Sequence, residues 1–274
     1  MSRSAQFQME KYAMTPTSRL LLAGMAALAL STGGRAIAAP EEIQVYEDDL
    51  VKPGGVGLDL HNNYVLSGDS RPDHPGGAAP EHAYRFTPEF YYGVAPNLEV
   101  GLYVLSQVEH DGTFTIGGEK LRLKYIAPRA SEDKPFYWGA NFEIGRVSNR
   151  YDVNPWNAEL KGIAGYVRGP WKVVGNANLD WTVSGPDRQK PTLNLSAKVG
   201  YALAKELSVG FETYNDIGNS HNFGRFGAQE QALYAVVDTA IHGWDLNLGI
   251  GRGFTGATDH WVAKAVIGVP FGAK

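Results

Sequence analysis

Charged side chains recur at every second position in parts of this chain, and of all its residues these point most clearly to a chemical role. Lys120, Arg122 and Lys124 alternate with leucines. In a β-strand such alternation places all three cations on one face, because successive side chains point to opposite sides. A face of this kind attracts anionic solutes, unless Glu99 and Glu143 of the neighbouring segments neutralise its charge.

The same alternation continues elsewhere in the chain and defines a longer set of charged residues that share the polar face. We predict that this set lines the interior of the fold: Arg85, Glu89, Glu99, Lys120, Arg122, Lys124, Glu143, Glu159, Lys161, Lys172, Asp180, Lys198, Glu212 and Lys264. Asp59, Asp238 and Asp245 fall on the same face. Such charges would set the selectivity of a polar channel. Alternatively, these charges pair with one another inside a closed barrel whose interior is filled by its own side chains.

The loop near residue 220 contains residue types that hydrolases use, in the order Ser220-His221-Asn222. Neighbouring loop residues do not form a nucleophile–base pair without a third group that orients the base. The chain also lacks Gly-x-Ser-x-Gly, the nucleophile elbow of many hydrolases. We therefore predict no catalytic residues and no enzymatic activity, and we keep a lipid hydrolase as the third alternative.

Three histidines, His61, His74 and His82, have side chains that suit zinc or copper. Their spacing does not match HExxH or a comparable ligand motif. The glycine-spaced residues 249–253 end a strand pattern and do not join a strand to a helix, so they do not indicate a dinucleotide site. We predict neither a metal nor a cofactor.

The overall composition excludes several classes of protein. The chain has 274 residues, no cysteine and a formal net charge of -4. Without cysteine there is no disulfide scaffold, thiolate nucleophile or cysteine-ligated metal. The slight acidity argues against a nucleic-acid partner, since such proteins usually carry a basic surplus.

The N-terminal region has the order of segments found in export signals. Arg19 precedes an unbroken apolar run, residues 20–30, and small residues follow up to Ala38. A basic, an apolar and a small-residue region in this order are typical of a secretory signal peptide. The apolar run is also too short for a transmembrane helix. We predict a signal peptide over residues 1–38, with cleavage after Ala39 and a start at Met14 as alternatives.

The rest of the chain alternates between apolar and polar residues with a period of two, which predicts strands throughout. Twelve strands are predicted at residues 55–66, 83–92, 98–108, 118–127, 136–146, 156–167, 171–183, 192–202, 207–215, 230–241, 244–253 and 259–271. Their lengths are close to the roughly 9–11 residues of a tilted membrane-spanning strand. Short and longer connections alternate, which is typical of an up-and-down barrel in the outer membrane.

Aromatic residues at the strand ends favour a membrane barrel over a soluble β-sandwich, in which alternation also occurs. They are Tyr91, Tyr92, Phe136, Tyr137, Trp138, Trp156, Trp171, Trp181, Trp244 and Trp261. Aromatic girdles at both interfaces are expected of a barrel in lipid, whose polar face then lines the lumen. We predict an all-β fold, an antiparallel transmembrane barrel of about 12 strands over residues 55–274.

The last predicted strand resembles the terminal strand of Gram-negative outer-membrane proteins. Its outward face runs from Trp261 to Phe271, and Gly-Ala-Lys follows. In those proteins a terminal aromatic residue is read by the barrel-assembly machinery, so the three extra residues are a departure from the pattern. The resemblance implies the barrel-assembly machinery and outer-membrane lipids as partners.

A hairpin near the second strand carries a resemblance to a known family. The sequence from Tyr92 to Leu102, YGVAPNLEVGL, resembles hairpins of the putative outer-membrane transporters labelled "MetA-pathway of phenol degradation". The resemblance implies a small outer-membrane barrel that passes small hydrophobic or aromatic compounds. It supplies no catalytic residues.

An acidic segment, residues 39–54, lies between the signal peptide and the first strand. It is either a periplasmic tail or a plug whose acidic residues meet Lys120, Arg122 and Lys124 inside the barrel. The preferred function is passive passage of small solutes across the outer membrane. A closed structural or surface-binding barrel is the first alternative.

Overall fold

A computed structural model of the protein describes residues 42–270, except residues 130, 132–133, 189 and 222. The predicted signal peptide and Phe271 lie outside these residues. Within the described part of the chain, no helix has the length and hydrophobicity of a transmembrane span.

Twelve antiparallel strands form a closed barrel, which confirms the predicted fold class. They are β1 (Val56–Ser67), β2 (Tyr84–Ala95), β3 (Leu98–Val108), β4 (Phe114–Ile126), β5 (Phe136–Val147), β6 (Trp156–Arg168), β7 (Trp171–Ser184), β8 (Thr192–Ala204), β9 (Leu207–Asn219), β10 (Glu230–Ile241), β11 (Trp244–Gly253) and β12 (Trp261–Val269). Each strand pairs with its neighbours in the chain, and β1 pairs with β12. Closure leaves no strand edge unpaired, which is what a sheet needs in lipid.

The two ends of the barrel differ in the length of their connections. One end, here called the turn end, has turns of two residues such as Gly169-Pro170 and His242-Gly243. Both His242 and Gly243 have positive φ, at 52° and 86°, as the tightest hairpin turns require. The other end, here called the loop end, has longer connections, among them residues 68–83 and 220–229.

Two strands extend four residues beyond their predicted bounds because β-bulges let the pairing continue. β4 begins at Phe114, and its register against β3 shifts beside Gly118, which has φ 139°. β9 continues to Asn219, with Ile217 as an extra residue between the partners of Leu193 and Asn194. A bulge inserts an extra residue and interrupts strict alternation, so the sequence pattern ended too early at both places.

Apolar side chains cover the outside of the barrel. Most of the polar residues that alternate with them along the strands are buried inside. Leu121 and Leu160 are exposed, whereas Arg122 and Lys161 beside them are buried. Exposed aromatic rings lie at both ends, with Trp171 packed edge-on against Tyr201 at the turn end and Trp261 at the loop end.

Two aromatic residues assigned to the girdles by sequence lie inside instead. Tyr137 is fully buried, and the Tyr91 hydroxyl donates to Asp59 at 3.1 Å in the lumen. The alternation explains both positions, because each tyrosine directly precedes or follows an outward-facing aromatic residue. The Tyr137 ring covers Gly165 of β6, where any Cβ would collide with it.

The inner face of the barrel is also not uniformly polar. A buried apolar cluster inside the barrel consists of Val45, Tyr46, Ile126, Tyr137, Ile163 and Val174. Val45 and Tyr46 belong to the segment before β1, so residues that are not part of the sheet contribute to the core of the barrel.

Candidate functional site in the barrel lumen

The structure places all the predicted lumen residues on the inner faces of their strands. Ten are buried: Arg85, Glu89, Glu99, Arg122, Lys124, Glu143, Lys161, Lys198, Glu212 and Lys264. Lys120, Glu159, Lys172 and Asp180 are partly buried. Their strands bring them into two different environments, one in the half of the lumen nearer the turn end and one in the half nearer the loop end.

In the turn half, the charges of β2, β3 and β4 neutralise one another. Arg122 lies 2.7 Å from a carboxylate oxygen of Glu89 and 2.5 Å from one of Glu99. His61 Nε2 lies 3.1 Å from the second oxygen of Glu89. Buried charges are tolerated when they are paired in this way. Arg122 is thus engaged by two carboxylates and is not a free attractor for anions.

The segment before β1, residues 42–53 and here called the inner segment, runs inside the turn half of the lumen. Its backbone is held by lumen side chains: Val51 N–H donates to Glu99 at 2.8 Å, and Lys124 donates to the Asp49 carbonyl at 2.8 Å. The Asp49 carboxylate also lies 3.5 Å from Lys124. Of the cations suggested for a plug, Lys124 therefore contacts an acidic residue of this segment.

Other acidic residues of the inner segment pair with cations that the sequence analysis did not connect to it. Glu47 forms ion pairs with Lys172 and Lys198, and Asp48 pairs with Arg129. These cations lie on β7, on β8 and after β4. The segment is thus fastened to several sides of the barrel.

Tyr46 is the most enclosed residue of the inner segment. Its N–H donates to Asn176 Oδ1 at 2.7 Å, and Asn176 Nδ2 donates back to its carbonyl at 3.0 Å. The Tyr46 hydroxyl donates to Glu143 at 3.0 Å, and Lys161 Nζ lies 3.7 Å from the ring centroid. Cations near a tyrosine face are attracted by the ring quadrupole. Nothing in the alternation pattern singled out Tyr46, because it lies outside the strands.

A second paired cluster lies on the opposite strands. Lys264 donates to Glu212 and, at 2.9 Å, to the Ile43 carbonyl of the inner segment. Lys198 lies 2.8 Å from Asp238 and 3.5 Å from Glu212. The predicted lumen residues of β8, β9 and β12 are therefore structural partners of one another.

The loop half of the lumen holds a cavity of about 490 Å³. It extends from Glu42 and Gln44 of the inner segment to the loops at residues 68–73 and 256–260. Its lining includes eight carboxylates: Glu42, Asp69, Asp73, Glu159, Asp180, Asp216, Glu230 and Asp259. Only four arginines and lysines line it, namely Arg71, Arg85, Arg150 and Lys161.

Several of these cavity residues were not predicted from the sequence. Asp216 was assigned to a loop, but β9 continues through it, so it lies on the inner face two positions beyond Tyr214. The continued alternation of Glu212, Tyr214 and Asp216 was the signal that could have found it. Glu230 begins β10 and pairs with Asp216 in register.

In the described part of the chain, the residues considered for catalysis lie in an exposed loop and those considered for metal binding form no cluster. Ser220 Oγ lies 3.2 Å from His221 Nδ1, but both are exposed loop residues, and Asn222 lies outside the described residues. His61 is buried in the lumen, whereas His74 contacts Asp73 and His82 packs near His110 at the loop end. No group of three or more potential metal ligands is found among the described residues.

Comparison with solved structures identifies the architecture. The KdgM porin in complex with disordered oligogalacturonate superposes with a TM-score of 0.54 at 9% identity, covering 79% of this chain and 99% of that chain. The NanC porin superposes with a TM-score of 0.51 at 13% identity, covering 79% and 100%. This is the fold of outer-membrane porins. At these identities the likeness concerns the fold alone. No family model and no curated protein matches the sequence.

Proposed function

We propose that this protein is an outer-membrane channel for the passive passage of small solutes. The observation that supports the proposal is the polar cavity of about 490 Å³ inside a closed barrel with the porin fold. Polar lumens of this kind admit solutes and select them by the charges that line the wall. The porin neighbours add support at the level of architecture.

The outer surface supports a position in the outer membrane. Exposed leucines such as Leu121, Leu160 and Leu248 form an apolar belt, with exposed aromatic rings at its two ends. A lysine or arginine facing the middle of a bilayer costs roughly 2–4 kcal/mol, which explains why the charged residues of β4 point inward. In the proposed orientation the turn end faces the periplasm and the belt contacts outer-membrane lipids, after insertion by the barrel-assembly machinery.

The inner segment restricts passage in this proposal. It occupies the turn half through Tyr46, Glu47 and Asp49, whose partners lie on β4, β7 and β8. Solutes that enter from the loop end therefore reach a floor formed by Glu42, Ile43 and Gln44. We expect a small conductance from the intact chain and a larger one when this segment is absent.

Planar-bilayer recording of the detergent-folded protein tests the proposal. The intact mature chain is compared with a variant that lacks residues 40–53, after both show heat-modifiable gel migration and a β-rich spectrum. Stable unitary steps that grow severalfold in the deletion variant would support a channel closed in part by the inner segment. Folded preparations of both proteins without unitary steps would contradict the channel and favour a closed barrel.

The solute class proposed from the family resemblance is small hydrophobic or aromatic compounds. Liposome-swelling rates for phenol and for glucose of matched concentration would test it. If liposomes that contain the protein take up phenol faster than protein-free liposomes do, the result would support this solute class. Equal phenol uptake by the two preparations would contradict it.

A further inference from the structure

The wall of the loop-half cavity that is formed by β6–β10 consists mainly of hydrogen-bond acceptors. Register pairs follow one another around it: Glu159 opposite Asp180, Asn194 opposite Asp216, and Asp216 opposite Glu230. Neighbouring strands lie about 4.8 Å apart, so this acidic belt extends over roughly four strand spacings. Asp180, Asp216 and Glu230 are thus at a similar level of one continuous wall.

Several oxygen atoms of the acidic belt are buried without a hydrogen-bond donor. They include Asn178 Oδ1, Asp180 Oδ1, Asn194 Oδ1 and Asp216 Oδ2. Asp216 is only 1% exposed, and its other oxygen accepts from Gly218 N–H at 2.8 Å. Buried polar atoms are normally satisfied, so a row of such acceptors facing one cavity can accept hydrogen bonds from water or from a donor-rich ligand.

The nearby cations form ion pairs with only part of this wall. Lys161 lies 2.9 Å from Glu159, and Arg150 is engaged by Glu109, with Nε at 2.9 Å from Oε1. Among the described residues, no ammonium or guanidinium lies within salt-bridge distance of Asp216. Asp216 and Glu230 therefore have no ion-pair partner of their own among the described residues, and a cationic ligand can supply one.

We propose that the acidic belt binds small organic cations, namely solutes that carry primary ammonium or guanidinium groups. The proposal rests on the channel function, since it names for the same cavity a solute class that differs from the hydrophobic or aromatic compounds implied by the family resemblance. Ammonium and guanidinium groups supply several N–H donors as well as charge, and both match carboxylate and amide oxygens. The belt is too spread out for a single metal ion, and the described residues form no cluster of three potential ligands.

Isothermal titration calorimetry on the folded mature chain tests the proposal with three probes of similar length. Putrescine carries two ammonium groups, butane-1,4-diol carries two hydroxyls and succinate carries two carboxylates. We expect putrescine to bind at least about tenfold more tightly than either of the others, a difference of about 1.4 kcal/mol. Equal binding of putrescine and the diol, or no binding of putrescine, would overturn the proposal.

The double variant Asp216→Asn, Glu230→Gln locates the site. It keeps the size and one oxygen of each side chain but replaces the other oxygen with an amide nitrogen and so removes the charge, and we expect it to weaken putrescine binding about tenfold or more. Asp111→Asn, in an exposed loop outside the cavity, is the matched control and should bind like the parent. If the double variant does not fold, Asp180→Asn replaces it with the same expectation. Unchanged affinity in the folded charge variant would overturn the proposal.

Bilayer recording without putrescine separates this proposal from the channel function. Unitary steps in a protein that does not bind putrescine would refute the acidic-belt proposal and leave the channel intact. Putrescine binding by a folded protein that never conducts would refute the channel and support the belt as a binding site.

Discussion

The two halves of the lumen use the same types of side chain but differ in how their charges are paired. In the turn half, Glu89 and Glu99 share Arg122, and Lys124 holds the inner segment through Asp49. In the loop half, neither Asp180 nor Asp216 has an arginine or lysine within salt-bridge distance among the described residues. The difference teaches that inward charges alone do not define a solute site in a barrel. Paired charges hold the fold together, whereas unpaired ones remain for a ligand.

The largest expected effect comes from breaking a pair in the turn half. Arg122→Met would leave Glu89 and Glu99 buried without their shared cation, which costs about 3–5 kcal/mol for a buried pair. Urea unfolding in detergent, followed by tryptophan fluorescence, would measure the change. Arg188→Met, in an exposed loop, is the control and should change the unfolding free energy little. An Arg122 variant as stable as this control would show that the turn-half charges are not structural.

A smaller loss is expected from overpacking the apolar part of the turn half. Gly165→Val would push its side chain into the Tyr137 ring, and overpacking typically costs about 1–3 kcal/mol. Gly175→Val is the matched control, because a Cβ there has open space around it. Adding Tyr137→Ala to Gly165→Val should recover part of the loss in the same urea assay. No recovery would mean that the two residues are not in conflict.

In the loop half, removal of a charge should leave stability almost unchanged or increase it. Asp216→Asn keeps the bond to Gly218 N–H and removes a buried charge that has no described cationic partner, so we expect a change within about 1 kcal/mol or a gain. Urea midpoints of this variant and of Arg122→Met, measured together, contrast the two halves directly. If Asp216→Asn lost as much stability as Arg122→Met, the two halves of the lumen would not differ in the role of their charges.

The smallest effect concerns acid pH at the turn end. The Lys124 ammonium lowers the pKa of the Asp49 carboxyl below its usual value of about 3.9. Because the pKa is lowered, the charged pair stabilises the inner segment fully at pH values above the usual pKa of the carboxyl. This contribution is lost as the pH falls through the lowered pKa. Because the Asp49 side chain is 77% exposed, the contribution is small.

Limited proteolysis of the inner segment between pH 7 and pH 2.5, with an acid-stable protease, would detect this loss as faster cleavage at the acid end. In Asp49→Asn the contribution is absent at every pH, so its acid dependence should be weaker than that of the parent. Identical pH profiles for the two proteins would contradict a role of this pair.

Most of the barrel follows from residue patterns that are local in the chain. Period-two alternation located all twelve strands, because a barrel strand with an apolar outer face and a largely polar inner face must alternate. Bulges at Gly117 and at Ile217 displaced the start of β4 and the end of β9, since a single extra residue disrupts the period without ending the strand. Tyr91 and Tyr137 were assigned to the wrong face because a strand-end aromatic residue suits both a girdle and a tyrosine packed over a glycine.

The sequence by itself predicted about 12 strands, their antiparallel order and the inward position of the charges from Arg85 to Lys264; closure at twelve strands was decided by the tertiary structure. Only the tertiary structure decided which of those charges are paired, since partners such as Lys198 and Glu47 are far apart in the chain. It also decided the course of the inner segment, whose side chains show no periodicity. Closing the sheet brings distant strands around one lumen, and the resulting ion pairs depend on register and depth, which alternation alone does not encode.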